Sequence, residues 1–65
     1  MNTILTEREK EIAELVATGM RLKDIAKQLY LSQSTISTHL DNVYKKRGVR
    51  NKTELAILMI EEKYK

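Results

Sequence analysis

The 65-residue sequence contains no cysteine, no proline, no tryptophan and no phenylalanine, and its single histidine is His39. Without cysteine there is no disulfide and no thiolate zinc site, and one histidine cannot form a histidine metal cluster. We therefore expect no metal and no cofactor. A chain this short buries only about 60 % of the surface that its unfolded form exposes. Its stability must come from ordinary helix packing, helped by a partner.

Long apolar runs and catalytic patterns are missing as well. No run approaches the roughly 18 residues of a membrane-spanning helix, and the first five residues have neither the basic start nor the apolar core of a signal peptide. We expect a cytoplasmic protein that does not contact the membrane. Because the sequence holds no nucleophile–base pair and no phosphate-binding loop, we expect neither an enzyme nor a small-molecule ligand site.

The positions of glycine and the helical periodicity between them predict an all-α fold. The two glycines are at positions 19 and 48, and the segments around them show helical periodicity without sustained alternation. The pattern predicts a four-helix, tetrahelical domain over residues 1–65, with helices over about 7–18, 22–30, 33–47 and 52–63. Thr6 and Ser32 are predicted N-caps of the first and third helices, Thr6 forming a capping box with Glu9. Asn51 is predicted to form a second capping box with Glu54.

Residues 22–41 have the pattern of a helix-turn-helix motif. Two short helices joined by a tight turn need a small residue where they cross, and Ala26 meets that need. Apolar residues such as Ile25 and Ile36 line the inside. The outward side of the second helix is formed by short polar side chains that permit close approach to the floor of a DNA major groove: Gln33, Ser34, Ser37 and Thr38.

The positive charge is segregated along the chain. The net charge is only +3, but residues 45–52 hold five basic side chains and no acid, whereas residues 7–14 are rich in glutamate. Lys45, Lys46 and Arg50 are therefore placed to contact the DNA backbone at the far end of the third helix.

The order and spacing of these residues resemble the LuxR-type (GerE-like) effector domain from about Leu5 to Ile60. The resemblance is carried by Leu5-Thr6-x-Arg8-Glu9-x-Glu11-Ile12, Gly19, Lys23-Asp24-Ile25-Ala26, Leu29, Leu31-Ser32, Ser34-Thr35-Ile36-Ser37-x-His39, Lys46 and Gly48-Val49. It implies a third helix that enters the major groove and a fourth helix that often forms a dimer contact. It also implies a place in bacterial transcription regulation, usually at the C-terminus of a response regulator or a quorum-sensing receptor, although stand-alone members exist.

The resemblance also implies roles for individual residues. The base-reading positions of the family fall on Ser37, Thr38 and Asp41. Its phosphate-contacting positions, with the outward polar and basic residues of this chain, give the expected DNA-backbone set: Lys23, Gln33, Ser34, Thr35, Asn42, Lys45, Lys46 and Arg50.

Several residues depart from the family pattern. Ser37 and Asp41 stand where members often carry lysine or arginine; an aspartate can accept a hydrogen bond from cytosine but repels phosphate. Arg21-Leu22 replace a small polar pair before the second helix, which costs that helix a cap. Arg47 stands where a buried leucine is usual, which brings the local packing near Gly48 into question.

The fourth helix contains a run, residues 55–60, that is apolar on every side. A helix of this kind is normally buried all round, and three short helices can cover only one of its faces. We expect its other face to form a homodimer interface; the alternative is that the run belongs wholly to the core. The predicted interface residues are Ala56, Ile57, Met59 and Ile60.

Duplex DNA is thus the expected partner, together with a second copy of the chain and RNA polymerase. Two alternatives remain open at this point. Region four of bacterial sigma factors has a similar helix-turn-helix and binds a promoter element. A protein-interaction module that has lost DNA affinity would account for Asp41, Ser37 and the modest net charge.

Overall fold

A computed structural model describes residues 4–63, which form four α-helices and no strand. They are α1 (Glu7–Ala17), α2 (Leu22–Leu29), α3 (Gln33–Arg47) and α4 (Lys52–Lys63). The all-α, four-helix prediction is confirmed, with helix ends within one residue of those expected. Of the first five residues, judged above to hold no signal peptide, residues 1–3 lie outside the described part of the chain.

The start of α1 is the predicted capping box. The Thr6 hydroxyl accepts a hydrogen bond from the Glu9 backbone N–H at 3.1 Å, and the Glu9 carboxylate accepts one from the Thr6 backbone N–H at 2.9 Å. α1 ends at Ala17, and the chain turns at Gly19, whose φ of 88° is favourable for a residue without a Cβ atom. This turn directs α2 back across α1.

α2 is a short helix whose ends are less well stabilised. Arg21 occupies its N-cap position and provides no side-chain hydrogen bond, as expected. The helix ends at Leu29, one residue earlier than predicted, because Tyr30 takes the left-handed conformation (φ 58°, ψ 40°). For a residue with a Cβ atom this conformation costs about 1–2 kcal/mol. The turn brings the chain to Ser32 and the start of α3.

The caps of α3 and α4 follow the sequence with one exception. The Ser32 hydroxyl accepts from the Thr35 backbone N–H, and Gly48 ends α3 in the left-handed conformation. The Asn51 side chain accepts from the Glu54 backbone N–H at 2.9 Å, as a cap should. The predicted second half of this box is wrong: the Glu54 carboxylate accepts from the backbone N–H of Arg50, one residue before Asn51, at 2.8 Å. The glutamate therefore ties the α3–α4 turn to α4.

The four helices bury one apolar core. α1 packs against each of the other three helices, and α2 packs against α3. The core residues of the described chain are contributed by all four helices: Ile12, Ala13, Val16, Ile25, Ala26, Ile36, Leu40, Val43 and Leu55. Each of the buried isoleucine, leucine and valine side chains contributes about 1.5–3 kcal/mol on burial. The packing fixes the angle of α3 and leaves its polar side in solvent.

Within residues 4–63, none of the helices has the length and apolarity needed to cross a bilayer.

Candidate nucleic-acid interface

The outer side of α3 presents a row of short polar side chains. Ser37, Thr38 and Asp41 are all exposed, as are Gln33 and Asn42 on the same helix. These positions point outward because Ile36, Leu40 and Val43, which alternate with them at helical spacing, are buried in the core. A helix with short side chains on its outer face can lie close to another surface, and each of these side chains carries hydrogen-bonding atoms.

The first turn of α3 carries a cluster of hydroxyl groups. The Ser32 Oγ lies 3.1 Å from the Ser34 Oγ and 2.8 Å from the Thr35 Oγ1. Next along the helix, the Thr38 hydroxyl donates to the Ser34 carbonyl oxygen at 3.0 Å. That bond holds the Thr38 side chain in one orientation and leaves its methyl group and its oxygen lone pairs for an external partner. Hydroxyl groups at a helix start suit a phosphate oxygen.

A groove of about 370 Å³ runs beside this face, between α3, the start of α2 and the α3–α4 turn. It brings two of the predicted base-reading residues together with basic residues from the following turn. The residues lining it are Leu22, Ser37, Leu40, Asp41, Tyr44, Arg50, Asn51, Lys52 and Thr53. Thr38 is not among them and faces solvent directly.

Inside this groove, Tyr44 lies half-buried. Burial raises the pKa of the Tyr44 phenol above its ordinary value, and the negative charge of Asp41 adds to that shift. A tyrosine phenol is protonated at neutral pH even at its ordinary pKa, so Tyr44 is a hydrogen-bond donor in the groove that Asp41 also lines.

Most of the predicted backbone-contacting residues are exposed. Lys23 on α2, Lys45 near the end of α3 and Arg50 in the α3–α4 turn all lie in solvent, while Thr35 is half-buried. Lys23 lies on a different helix from the others. The interface would therefore have to extend from α2, along α3, to the turn before α4 if all of these side chains act together.

Lys46 differs from the other basic residues because its charge has an internal partner. Its Nζ donates to the Glu9 Oε1 at 2.6 Å, and only 21 % of the Lys46 side chain and 5 % of the Glu9 side chain are exposed. The same Nζ lies 3.4 Å from the Ile4 carbonyl oxygen. Lys46 thus links the end of α3 to the start of α1, and a phosphate would have to share its ammonium group with Glu9.

Glu9 also makes stability depend on pH. The hydrogen bond from Lys46, followed by that from the Thr6 backbone N–H, lowers the pKa of Glu9 below its ordinary value of 4.5. A carboxyl group whose pKa is lower in the folded state contributes stability above its unfolded pKa, and that stability is lost as the pH falls through the folded pKa.

We expect Glu9→Gln to destabilise the domain at neutral pH, with a difference from the wild type that shrinks steadily below about pH 4.5. Urea unfolding of both proteins between about pH 6 and pH 3 measures this difference. A difference that stays constant over that range would contradict the role given to the Glu9 charge.

Arg47 occupies the position where a buried leucine was expected, and it holds together two helix ends. Its Nη2 donates to the Glu62 Oε2 at 2.8 Å, which joins the end of α3 to the last turns of α4. Its Nε atom is buried and has no hydrogen-bond partner among the described residues. The ion pair is partly exposed and has a small net stabilising effect. Arg47 is therefore accommodated at this position without adding much to the stability of the fold.

The outer side of α4 is apolar. Ile57 and Ile60 are 52 % and 49 % exposed, one helical turn apart on the same side. Ala56 is half-buried, and Met59 packs partly against the core of its own chain. The exposed apolar area of the predicted interface is therefore concentrated on the two isoleucines.

Two residues outside the predicted site, Glu9 and Tyr30, have structural features that the sequence pattern did not indicate. Glu9 was assigned only the cap of α1, and its partner Lys46 is 37 residues away. Tyr30 was predicted only as the last residue of the second helix, but it takes the left-handed conformation and its side chain is 95 % exposed. Helical periodicity carries no signal for either feature.

Comparison with known proteins places this surface in context. The family model described as bacterial regulatory proteins, luxR family, matches residues 3–59. The chain is 46 % identical over 57 residues to the transcriptional regulatory protein UhpA of Escherichia coli, with 88 % of this chain and 29 % of that protein covered. It is 42 % identical over 53 residues to the CsgBAC operon transcriptional regulatory protein of E. coli, covering 82 % and 24 %.

A third relative is the uncharacterized transcriptional regulatory protein YvfU of Bacillus subtilis. It is 44 % identical over 58 residues, covering 89 % of this chain and 29 % of that protein. The chain thus spans less than a third of the length of each of these three relatives.

Proposed function

This chain belongs to the LuxR family of bacterial regulatory proteins, as a helix-turn-helix domain of the DNA-binding type, and on that premise we propose that it binds duplex DNA in a sequence-specific manner to regulate transcription in the bacterial cytoplasm. In this proposal residues 1–65 act as one domain, and α3 enters the major groove. The family match favours this function over the sigma-factor alternative.

The observation that supports the proposal most directly is the outer face of α3. This face carries the exposed side chains of Ser37, Thr38 and Asp41, and the opposite face of the same helix is buried in the core. Base edges in the major groove offer hydrogen-bond donors, acceptors and the thymine methyl group. Asp41 accepts from a cytosine amino group, and the Thr38 methyl group contacts thymine. Ser37 donates to or accepts from either kind of base.

Backbone phosphates fix the position of α3 in this proposal. The hydroxyl cluster of Ser34 and Thr35 receives one phosphate at the start of the helix. At the other end, Lys45 and Arg50 neutralise phosphates of the opposite strand; the remaining backbone-contacting residues are Lys23, Gln33, Asn42 and Lys46. Contacts of this kind set orientation and affinity without reading sequence.

A second copy of the chain completes the site. Ile57 and Ile60 expose about half of their surface on a helix whose other side reaches the core through Leu55. Pairing of two such faces, with Ala56 and Met59 beside them, would remove this apolar area from water. A symmetric dimer would then bind two half-sites about one helical turn apart.

The wider role of the protein follows the names of its relatives. Those relatives are called transcriptional regulatory proteins and are more than three times as long as the matched segment. We propose the same role for this chain, with RNA polymerase as the further partner through which DNA binding changes transcription.

The experiment that tests the proposal is a titration of the protein onto promoter-derived and random duplexes at two salt concentrations. Binding that weakens steeply with salt and is tighter for some duplexes supports a sequence-reading domain with several phosphate contacts. If the protein binds no duplex at low salt, the proposal fails. A protein-interaction module then becomes the better description.

Two substitutions separate backbone contacts from base contacts. Lys45→Ala should weaken binding to every duplex by a similar factor and reduce the salt slope by about one unit, because one phosphate contact is lost. Thr38→Ala should change the order of preference among duplexes and leave the salt slope unchanged. Binding isotherms on the same duplex panel measure both effects. Equal losses on all duplexes for Thr38→Ala would contradict its assignment.

A further inference from the structure

Tyr30, the C-cap of α2, combines a left-handed backbone with an exposed side chain. It is the only non-glycine residue with positive φ among the residues described, at 58°. At this position glycine would avoid the steric conflict of a Cβ atom. The ring is 95 % exposed, so packing within the chain does not offset the strain. The left-handed turn ends α2 but does not require a tyrosine, and an exposed ring at a strained position points to a role in binding.

The surroundings of Tyr30 are positively charged. Lys23 and Lys27 lie one turn apart on α2, both exposed, and Tyr30 follows three residues after Lys27. Within residues 4–63, the ion pairs of the structure use other residues, so neither lysine is neutralised by an acid. The acid of α2 is Asp24, in the first turn of the helix and half-buried. The surface formed by Lys23, Lys27 and Tyr30, here called the α2 stripe, therefore suits an anionic partner.

The position of the stripe identifies that partner. Tyr30 is two residues before Ser32, the N-cap of α3. It therefore lies beside the end of α3 where the hydroxyl cluster is found. In helix-turn-helix proteins the first helix of the motif crosses the DNA backbone while the second lies in the groove. Tyrosine is among the side chains that hydrogen-bond to backbone phosphates. DNA that meets α3 thus passes the α2 stripe.

We infer that Lys27 and Tyr30 extend the DNA contact beyond α3, with the Tyr30 hydroxyl donating a hydrogen bond to a phosphate oxygen and Lys27 neutralising a phosphate of the same strand. This inference rests on the proposed function and adds two residues to the Lys23 contact. Tyr30 is a positioning residue: it touches the backbone, reads no base, and holds the start of α3 at a fixed depth in the groove. The left-handed turn is needed to end α2, and a tyrosine there accepts strain that a glycine would avoid.

The test is a set of four variants titrated onto the preferred duplex at several salt concentrations, with thermal unfolding of each free protein. Tyr30→Phe keeps the ring and removes only the hydroxyl. Tyr30→Gly also relieves the left-handed strain. Lys27→Ala removes a charge from the stripe, and Lys10→Ala removes the same charge from the exposed side of α1 as a matched control.

We expect Tyr30→Phe and Tyr30→Gly each to weaken DNA binding about tenfold, since a hydrogen bond to a charged group is lost. The salt slope should not change, because tyrosine is neutral. Tyr30→Gly should at the same time raise the unfolding midpoint of the free protein by a few degrees. Lys27→Ala should lower the salt slope by about one unit, and Lys10→Ala should not.

A purely structural role of Tyr30 cannot explain a Tyr30→Gly variant that is more stable and yet binds DNA more weakly. The inference is overturned if wild-type protein binds DNA and both Tyr30 variants bind it equally well. That result would direct attention to a protein that docks on the α2 stripe. Failure of the wild type to bind any duplex overturns the proposed function itself, so the two failures are distinguishable.

Discussion

Lys46→Ala is expected to lower the free energy of unfolding by about 3 kcal/mol. Breaking a buried ion pair by removing one partner leaves an uncompensated charge and typically costs about 3–5 kcal/mol. We place this case at the low end because Lys46 keeps 21 % exposure and Glu9 retains the hydrogen bond from the Thr6 backbone N–H. A domain of this length has a total stability of roughly 3–10 kcal/mol. Thermal unfolding should move down by roughly 10 °C or more.

The neighbouring lysine provides the matched control. Lys45→Ala removes the same charge from an exposed position on the same helix, and its unfolding midpoint should stay close to that of the wild type. Glu9→Gln combined with Lys46→Met should recover part of the loss, because no unpaired charge is then buried. If Lys46→Ala and Lys45→Ala unfold at the same temperature, the link between α1 and α3 does not stabilise the fold.

The expected instability of Lys46→Ala also complicates its use as a test of a phosphate contact. A loss of DNA binding in Lys46→Ala mixes the missing contact with unfolded protein. Titration well below the unfolding midpoint of the variant, compared with the wild type at the same temperature, separates the two effects.

Ile57→Glu is expected to reduce affinity for a duplex with two half-sites by about 100-fold or more, and to leave affinity for a single half-site unchanged. In the proposed dimer the second half-site is bound at the high effective concentration that pairing provides, and this gain is lost when the copies separate. Ile57 is half exposed in one chain, so the substitution places its charge in solvent in the monomer and in an apolar contact only in the dimer.

Ile57→Lys distinguishes pairing from electrostatics. An added positive charge by itself would strengthen binding to any duplex, whereas a charge placed in the interface prevents pairing whatever its sign. Both variants should therefore lose the two-site advantage, and sedimentation in the presence of the two-site duplex should show the change in stoichiometry. Tighter binding by Ile57→Lys on both duplexes would contradict the dimer.

Local sequence signals predicted the helices and the core well because each depends on residues a few positions apart. The cap at Thr6, the cap at Ser32 and the turn at Gly48 involve only neighbours within three residues or the backbone itself. The burial of Ile25 and Ile36 follows from helical periodicity. These features also determine which side of α3 faces solvent, so the outline of the candidate site was available from the sequence.

Contacts between distant residues could not be predicted in this way. The pair of Lys46 and Glu9 depends on how α3 packs across α1, which no spacing along the chain encodes. The same holds for Arg47, whose partner Glu62 lies 15 residues further on. Even a local prediction can be wrong in detail. Glu54 has the position after Asn51 that a capping box requires, but its carboxylate accepts from the backbone N–H of Arg50.

The packing of α1 against α4 has a consequence for the order in which the protein is made. Among residues 4–63, Leu55 is the last fully buried core residue in chain order. As synthesis proceeds, α1, α2 and α3 leave the ribosome before Leu55 can close the apolar core that they share. Until then the inner faces of the helix-turn-helix remain open to water and to chaperones. For the proposed DNA binding, the helix-turn-helix therefore becomes fully packed only after α4 has emerged.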